Sequence, residues 1–249
     1  MLSRQAAKQA QVFARSRLSQ TTNNTSAVNV EWVKPSDSAS MSEIFKLRYK
    51  VMVKDVKVNP FPSDHYCIKG DEFYDDYDLH PSTGHCLVRF NGKPVASTRI
   101  VNGKVLPLEA EKYNWVDVRS GIRPFVKDVT NIAEPCRVVA DRSVRGTNIT
   151  PLMYLHCLEW FIENKIENFV GMVNSEARPL IEHYSKWAQC KWINDKPFEA
   201  NDFIRGRKLD YCIVSVGLPG TPEHDKFIIQ NYSPAFVAWL AMKAPVKKD

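Results

Sequence analysis

Apolar and polar positions along the chain fall into blocks of two different periods. Over residues 41–56, MSEIFKLRYKVMVKDV, Ile44, Leu47, Val51 and Met52 recur at helical spacing, and Ser40 with Glu43 three residues on reads as a capping box, so a helix is predicted there. Residues 85–90 and 94–101 read as strands on either side of Asn91-Gly92, the strongest short hairpin signal, and Asn102-Gly103 marks a second turn into Lys104-Val105-Leu106. Residues 134–140 form another strand. Thr150 then reads as the cap of a helix with Pro151 at its first position, carrying Leu152, Leu155, Leu158, Trp160, Phe161 and Ile162. A strand at 168–173, a helix from Ser175 toward Trp187, strands at 189–193 and 211–216 and a short apolar helix at 234–243 complete the reading, while 108–131 mixes Trp115 and Phe125 with charges and takes no firm assignment. The order is mixed α/β. The strand, loop, helix and strand between 134 and 173 require a crossover, and therefore two parallel neighbours.

Several charges interrupt this pattern. Arg48 lies four residues after Ile44 and four before Met52, inside the apolar stripe of its own helix. A buried guanidinium without a partner costs roughly several kcal/mol, so the fold must bring carboxylates to it. The densest acidic cluster, Glu72-Phe73-Tyr74-Asp75-Asp76-Tyr77-Asp78, follows soon after. Arg99 interrupts the strand Val95-Ala96-Ser97-Thr98-Arg99-Ile100-Val101, and Glu134 and Arg137 interrupt the strand around Val138-Val139. Each alone reads equally well as an edge charge, or as an arginine that snorkels out beside a solvated acidic loop. Together they suggest an ion-paired network on one side of a sheet, where chemistry tends to gather.

At 249 residues and 44% apolar content the chain suffices for one good core, read as a single domain over 28–249 behind a basic extension at 1–27. The formal charge of +6 changes meaning once the extension is set aside. Arg4, Lys8, Arg15 and Arg17 precede the first acid, Glu31, and the remaining body carries about +2, which argues no nucleic-acid footprint. As a helix, the extension would place Leu2, Ala6, Ala10 and Phe13 opposite Arg4, Lys8 and Arg15. That is the pattern of a mitochondrial presequence in a eukaryotic source; in a bacterial one it is a basic tail on a cytoplasmic protein. No apolar run approaches the ~20 residues of a membrane span. Six cysteines, at 67, 86, 136, 157, 190 and 212, lack a C-x-x-C pair and read as reduced thiols. No zincin, nucleophile-elbow or Walker motif occurs, and no metal site is expected. His156 beside Cys157 makes a poor catalytic pair, because adjacent helical residues point about 100° apart.

Phe45-Lys46-Leu47-Arg48-Tyr49-Lys50-Val51, Asp75-Asp76-Tyr77-Asp78, Ser97-Thr98-Arg99-Ile100 and Glu134-Pro135-Cys136-Arg137-Val138 stand in an order that resembles the acyl-homoserine-lactone synthases and the related N-acyl amino acid synthases of the GNAT acyltransferase superfamily. The likeness runs over about residues 43 to 175. The chain departs from the pattern at Phe73, where the first acid of an E-x-D-x-x-D block falls, at Met52 in place of an aromatic, and in lacking a following tryptophan; these departures bear on the product more than on the fold. The resemblance implies a largely antiparallel twisted sheet with helices on both faces and a splayed parallel strand pair that admits an acyl-pantetheine arm, on coenzyme A or an acyl carrier protein. It implies an N-acyltransferase acting on the amine of a small amino-acid-like acceptor. Glu134 becomes the first candidate for general base, with Asp75 and Asp78 binding the acceptor ammonium or orienting Arg48 and Arg99, and Arg137 holding Glu134 or an acceptor carboxylate. Val138 and Val139 would line the pantetheine arm, and the loop carrying Arg145, Gly146 and Thr147 would meet the pyrophosphate at a helix N-terminus. Because arginine pairs lower a carboxylate's pKa, a tightly paired acid makes a poor base. A non-catalytic module that binds acyl-CoA or a partner protein therefore stays open, as does an ordinary acetyltransferase with a narrow acyl slot.

Overall fold

The computed structural model describes residues 28–55, 66–112, 117–145, 163–174, 190–193, 198–199 and 208–215, with helical positions 149, 153, 156, 157, 160 and 161. The expected elements at 175–187 and 234–243, the Thr150–Pro151 cap and the extension at 1–27 lie outside these residues.

Ten strands are described: β1 (Val28–Val33), β2 (Tyr66–Lys69), β3 (Glu72–Asp75), β4 (Gly84–Phe90), β5 (Lys93–Asn102), β6 (Ile132–Ala140), β7 (Asn168–Asn174), β8 (Cys190–Trp192), β9 (Phe198–Glu199) and β10 (Lys208–Ser215). Eight of them form one sheet in the order β1-β4-β5-β6-β7-β10-β8, with β9 also on β10, and β2-β3 is a separate hairpin. The Asn91-Gly92 expectation is met. Both turn residues have positive φ, 51° and 74°, the geometry of a two-residue hairpin whose twist suits its strands. The Asn102-Gly103 turn also forms, with the amides of Val105 and Leu106 donating to the Asn102 carbonyl.

All described pairings are antiparallel except β6 with β7. That parallel ladder holds only Ile132 against Asn168 and Ala133 against Phe169, although β6 continues to Ala140 and β7 to Asn174. The two strands splay from Glu134 onward, as the crossover and the resemblance imply. Pro135, which lacks an amide hydrogen for a ladder, is tolerated because β6 is an edge on that side.

Helix α1 (Ser38–Arg48) covers one face, and its start differs from expectation. Asp37 is the cap, accepting from the Ser40 amide, while Glu43 turns to Arg89, which also pairs with Glu31. The predicted continuous helix changes character after Arg48 and runs as a π-helical stretch over Tyr49–Asp55. The looser winding keeps the stripe intact: Ile44 and Phe45 pack on Leu87, and Leu47, Val51 and Met52 pack on Val139. Short helices α2 (Glu109–Lys112) and α3 (Val118–Ile122) fill the stretch that resisted assignment. On the opposite face, Ile149, Met153, Cys157 and Phe161, spaced four apart along a helix, bury against Ala96, Ile100 and Ala133.

Candidate functional site

The acidic segment read as a loop is instead ordered as β3 followed by a 3-10 turn over Asp76–Leu79. The turn brings Asp75 and Asp78 to one side, and the Asp75 amide donates to Oδ2 of Asp78 at 2.9 Å. Both acids are buried beneath α1, and Arg48, at 1% exposure, does not snorkel. Its Nη1 donates to Oδ1 of Asp78 at 2.6 Å. Arg99 Nη1 reaches the same oxygen at 3.0 Å and pairs with Asp75, and Arg137 Nη2 donates to Oδ2 of Asp75 at 3.1 Å.

Arg137 joins this cluster through a bulge. Three residues apart on a flat strand, Glu134 and Arg137 would face opposite sides of the sheet. Between Ser97/Val139 and Arg99/Cys136, however, β6 carries one residue more than β5, and Arg137 takes φ 52°. The extra residue flips the alternation, so Glu134, Cys136 and Arg137 share the α1 face. A left-handed arginine is strained, and here the bulge re-aims a guanidinium into the network.

Two members lacked a sequence signal strong enough to single them out. Glu109, at the start of α2, is 1% exposed; its carboxylate pairs with Arg137 and lies 3.3 Å from Nη2 of Arg99. Its backbone amide donates to Oε2 of Glu134 at 2.5 Å. The signal available was the Leu106-Pro107-Leu108 run immediately before an acid. His85, opposite Arg99 across the β4-β5 ladder, is fully buried with Nε2 3.1 Å from the Asp78 carbonyl. Being opposite a carbonyl, Nε2 carries the hydrogen and donates it.

Among the described residues the cluster holds three guanidiniums, Arg48, Arg99 and Arg137, against four carboxylates, Asp75, Asp78, Glu109 and Glu134. Burial pushes His85 down to about 3, against the pull of Asp78, so it adds no compensating charge near neutrality. Burial alone would raise Asp78, but Arg48 and Arg99 hold it well below the usual carboxylate range. Burial, then Glu134 and Glu109, push the Tyr77 phenol up, and its hydroxyl donates to the Pro107 carbonyl at 2.7 Å. The surroundings are thus polar and buried, with one acid more than guanidiniums among the described residues. Two donor atoms of Arg48, Nε and Nη2, are buried with no hydrogen-bond partner.

The other expected residues divide. Val138 is 38% exposed on the β6 edge, whereas Val139 is buried against Leu47 and Val51. Arg145 follows a short 3-10 turn and its Nε donates to the Ala140 carbonyl at 3.2 Å; Gly146 and Thr147 lie outside the described residues. At the base of that turn, a hydrogen bond from Lys50 holds Asp141 down to about 2, and Arg142 Nε meets Asp55 at 3.3 Å, tying the π-helical stretch to the loop. Cys86, Cys136 and Cys157 are buried, and burial raises the Cys157 thiol well above its usual range, away from a nucleophile's.

A mostly antiparallel sheet with helices on both faces and a parallel pair that opens after two residues define a GNAT-type acyltransferase fold. Residues 43–195 match the model of the N-acyl amino acid synthase FeeM family, and the chain belongs to that family, whose members are N-acyltransferase enzymes. No curated protein matches in sequence. Among solved structures, a CoA-dependent acyl-homoserine lactone synthase, BjaI, with SAM and isopentyl-CoA is similar at TM-score 0.61 and 12% identity over 82% of this chain and 88% of that one. The acyl-homoserine lactone synthase LasI is similar at 0.58 and 12% over 89% and 98%, and FeeM from uncultured soil microbes at 0.55 and 11% over 82% and 97%.

Proposed function

We propose that this chain moves an acyl group from a pantetheine thioester, on coenzyme A or an acyl carrier protein, to the amine of a small amino-acid-like acceptor. The observation that carries this reading is the place of Glu134. It is the first residue of β6 beyond the parallel pair, fully buried, in a cluster with one carboxylate more than guanidiniums. The excess charge suits an ammonium, and the buried, unpartnered Nε and Nη2 of Arg48 suit the acceptor's carboxylate.

In the reaction, Glu134 takes a proton from the ammonium, directly or through one water. The amine nitrogen attacks the thioester carbonyl, forming the C–N bond, and the tetrahedral oxyanion is met by a backbone N–H on the open edge of β6. The intermediate collapses with cleavage of the C–S bond, and the departing thiolate takes up a proton, leaving an amide and a thiol. Asp75 and Asp78 position Arg48, Arg99 and Arg137. Val138, exposed on the β6 edge, flanks the pantetheine arm, Val139 supports that edge from beneath by packing on Leu47 and Val51, and Arg145, Gly146 and Thr147 meet the phosphates. The BjaI and FeeM likenesses favour coenzyme A as one donor and an amino acid as one acceptor class. No helix among the described residues is long and apolar enough to cross a membrane. Neither the fold nor the family supports the mitochondrial reading of residues 1–27, and the N-terminus of the chain purified from its native cell tests it.

The test incubates the full chain with acyl-CoAs of rising length, or the matching acyl carrier protein thioesters, and an amino acid panel, and measures N-acyl product and free thiol. Glu134→Gln should lower turnover by about a hundredfold or more while thioesters still raise the melting temperature. Unchanged turnover in Glu134→Gln, or no product from any donor and acceptor, would reject the proposal.

A further inference from the structure

Glu109 does two things to Glu134 at once. Its backbone amide is hydrogen-bonded to Oε2 of Glu134 at 2.5 Å, which fixes the carboxylate's orientation. Its own carboxylate engages Nη2 of Arg99, on the neighbouring β5, and Nη2 of Arg137, on β6 three residues beyond Glu134. The backbone that presents it is held from three sides. Tyr77 donates to the Pro107 carbonyl at 2.7 Å, the Leu108 amide donates to Oε2 of Glu111 at 2.9 Å, and Leu108 is fully buried beside Ile132, two residues before Glu134. Lys112 closes the far end of α2 over the Tyr77 ring, its nitrogen 4.4 Å from the centroid.

We propose that Glu109 is the positioning residue of the acyl transfer: it fixes Glu134 where the two parallel strands part, and draws the Arg99 and Arg137 guanidiniums to itself so that Glu134 keeps the basicity to deprotonate the acceptor amine. The inference rests on the acyl-transfer reading. Its physical core is a competition. A guanidinium paired with Glu134 would stabilise the ionised form and make it a weak base, and the amide bond from Glu109 works in that same sense; the Glu109 carboxylate, which occupies those guanidiniums and adds a like charge nearby, works in the opposite sense and offsets it. Glu109 touches neither donor nor acceptor in this scheme; it acts through Glu134.

Glu109→Gln is the informative variant, because it keeps the side-chain shape and the backbone amide and removes only the charge. Its kcat should fall about tenfold with KM for the thioester unchanged, and the acid limb of its kcat/KM profile should move about one pH unit lower as the arginines turn toward Glu134. Glu109→Asp, which keeps the charge, should hold the limb at the wild-type position. A limb unmoved in Glu109→Gln, with activity lost only in proportion to folded protein, overturns the proposal and leaves Glu109 a structural acid. So does a limb that moves equally in Glu109→Asp. A wild-type chain without turnover would sink the acyl-transfer reading, not this coupling. In that event the carboxyl titration of Glu134, followed by 13C NMR and assigned with Glu134→Gln, decides it: a lower midpoint in Glu109→Gln supports the coupling, and an unchanged one overturns it.

Discussion

Arg99 and Ile100 are neighbours on β5 and equally buried, yet they enter different interiors. Ile100 packs with Ala133, Cys157, Phe161 and Ile166, and Phe161 stacks on Phe169 at 5.2 Å between centroids. Arg99 enters the α1 face, where Asp75, Asp78 and Glu109 surround its guanidinium and the Tyr77 ring lies 5.3 Å from its central carbon. The Ile100 face is held by area removed from water and by packing, which depend little on pH. The Arg99 face is held by mutual compensation among charged groups that each cost energy to bury, so its stability depends on every member being present. One sheet thus carries a face that stabilises the fold and a face whose buried charges cost stability, the face on which the proposed acyl transfer is placed.

The largest expected effect breaks the charged face. Arg99→Met keeps much of the volume but leaves Asp75, Asp78 and Glu109 to share Arg48 and Arg137, and should cost about 3–5 kcal/mol at pH 7 in urea unfolding. Ile100→Ala, one residue away, should cost about 2–4 kcal/mol by leaving a cavity. The magnitudes overlap, so pH separates them. Lowering the pH lets the under-compensated acids take up protons and should shrink the Arg99→Met penalty, while the Ile100→Ala penalty stays nearly constant. Parallel pH dependences in the two variants would refute the division of the sheet into two interiors.

His85 gives the next effect. Its folded pKa is depressed by burial from 6.5 to about 3, so the unfolded chain binds a proton that the folded protein refuses. The stability this contributes is complete above pH 6.5 and is lost as pH falls toward 3, at roughly 1 kcal/mol per pH unit. Asp78, also depressed, adds its own loss only as pH falls below its ordinary value of 3.8. His85→Asn should therefore flatten the curve between pH 6.5 and 4 and leave the steeper fall below 3.8. Chemical unfolding across that range is the check, and an unchanged slope would place the proton uptake elsewhere.

How much of this was legible in the chain follows the same division. The hairpin at Asn91-Gly92, strands β6 and β7 and their crossover were readable, because local turn chemistry and period dictate them. Arg48, Arg99, Glu134 and Arg137 were readable as charges in apolar surroundings. Glu109 and His85 were not singled out: one follows a proline-broken apolar run with no period, and the other opens a strand where a polar residue is unremarkable. The π-helical turn after Arg48 and the bulge at Arg137 were invisible for a different reason. Each inserts a register change that tertiary packing selects, and the bulge overrides the alternation that would have put Glu134 and Arg137 on opposite faces. The cap moved from Ser40 to Asp37 because Glu43, the reciprocal half of the expected box, pairs with Arg89 across the fold.

The smallest expected effect supplies a ruler that belongs to neither face. Gly92 sits at φ +74° in the exposed hairpin turn, and a Cβ built there meets nothing within 4 Å. Gly92→Ala should therefore cost only the backbone strain, about 1 kcal/mol, at every pH. Gly103 is different: a Cβ there would come within 2.8 Å of the Ile132 carbonyl and 3.1 Å of Leu108, in the segment that delivers Glu109. Combined with Arg99→Met or Ile100→Ala, Gly92→Ala should add its cost unchanged, since the turn shares no partner with either site. Double variants unfolded in urea test this. Non-additivity with Arg99→Met alone would mean that the charged face reaches through the β4-β5 ladder to the turn, and that its compensation is a property of the strand pair rather than of the side chains that meet beneath α1.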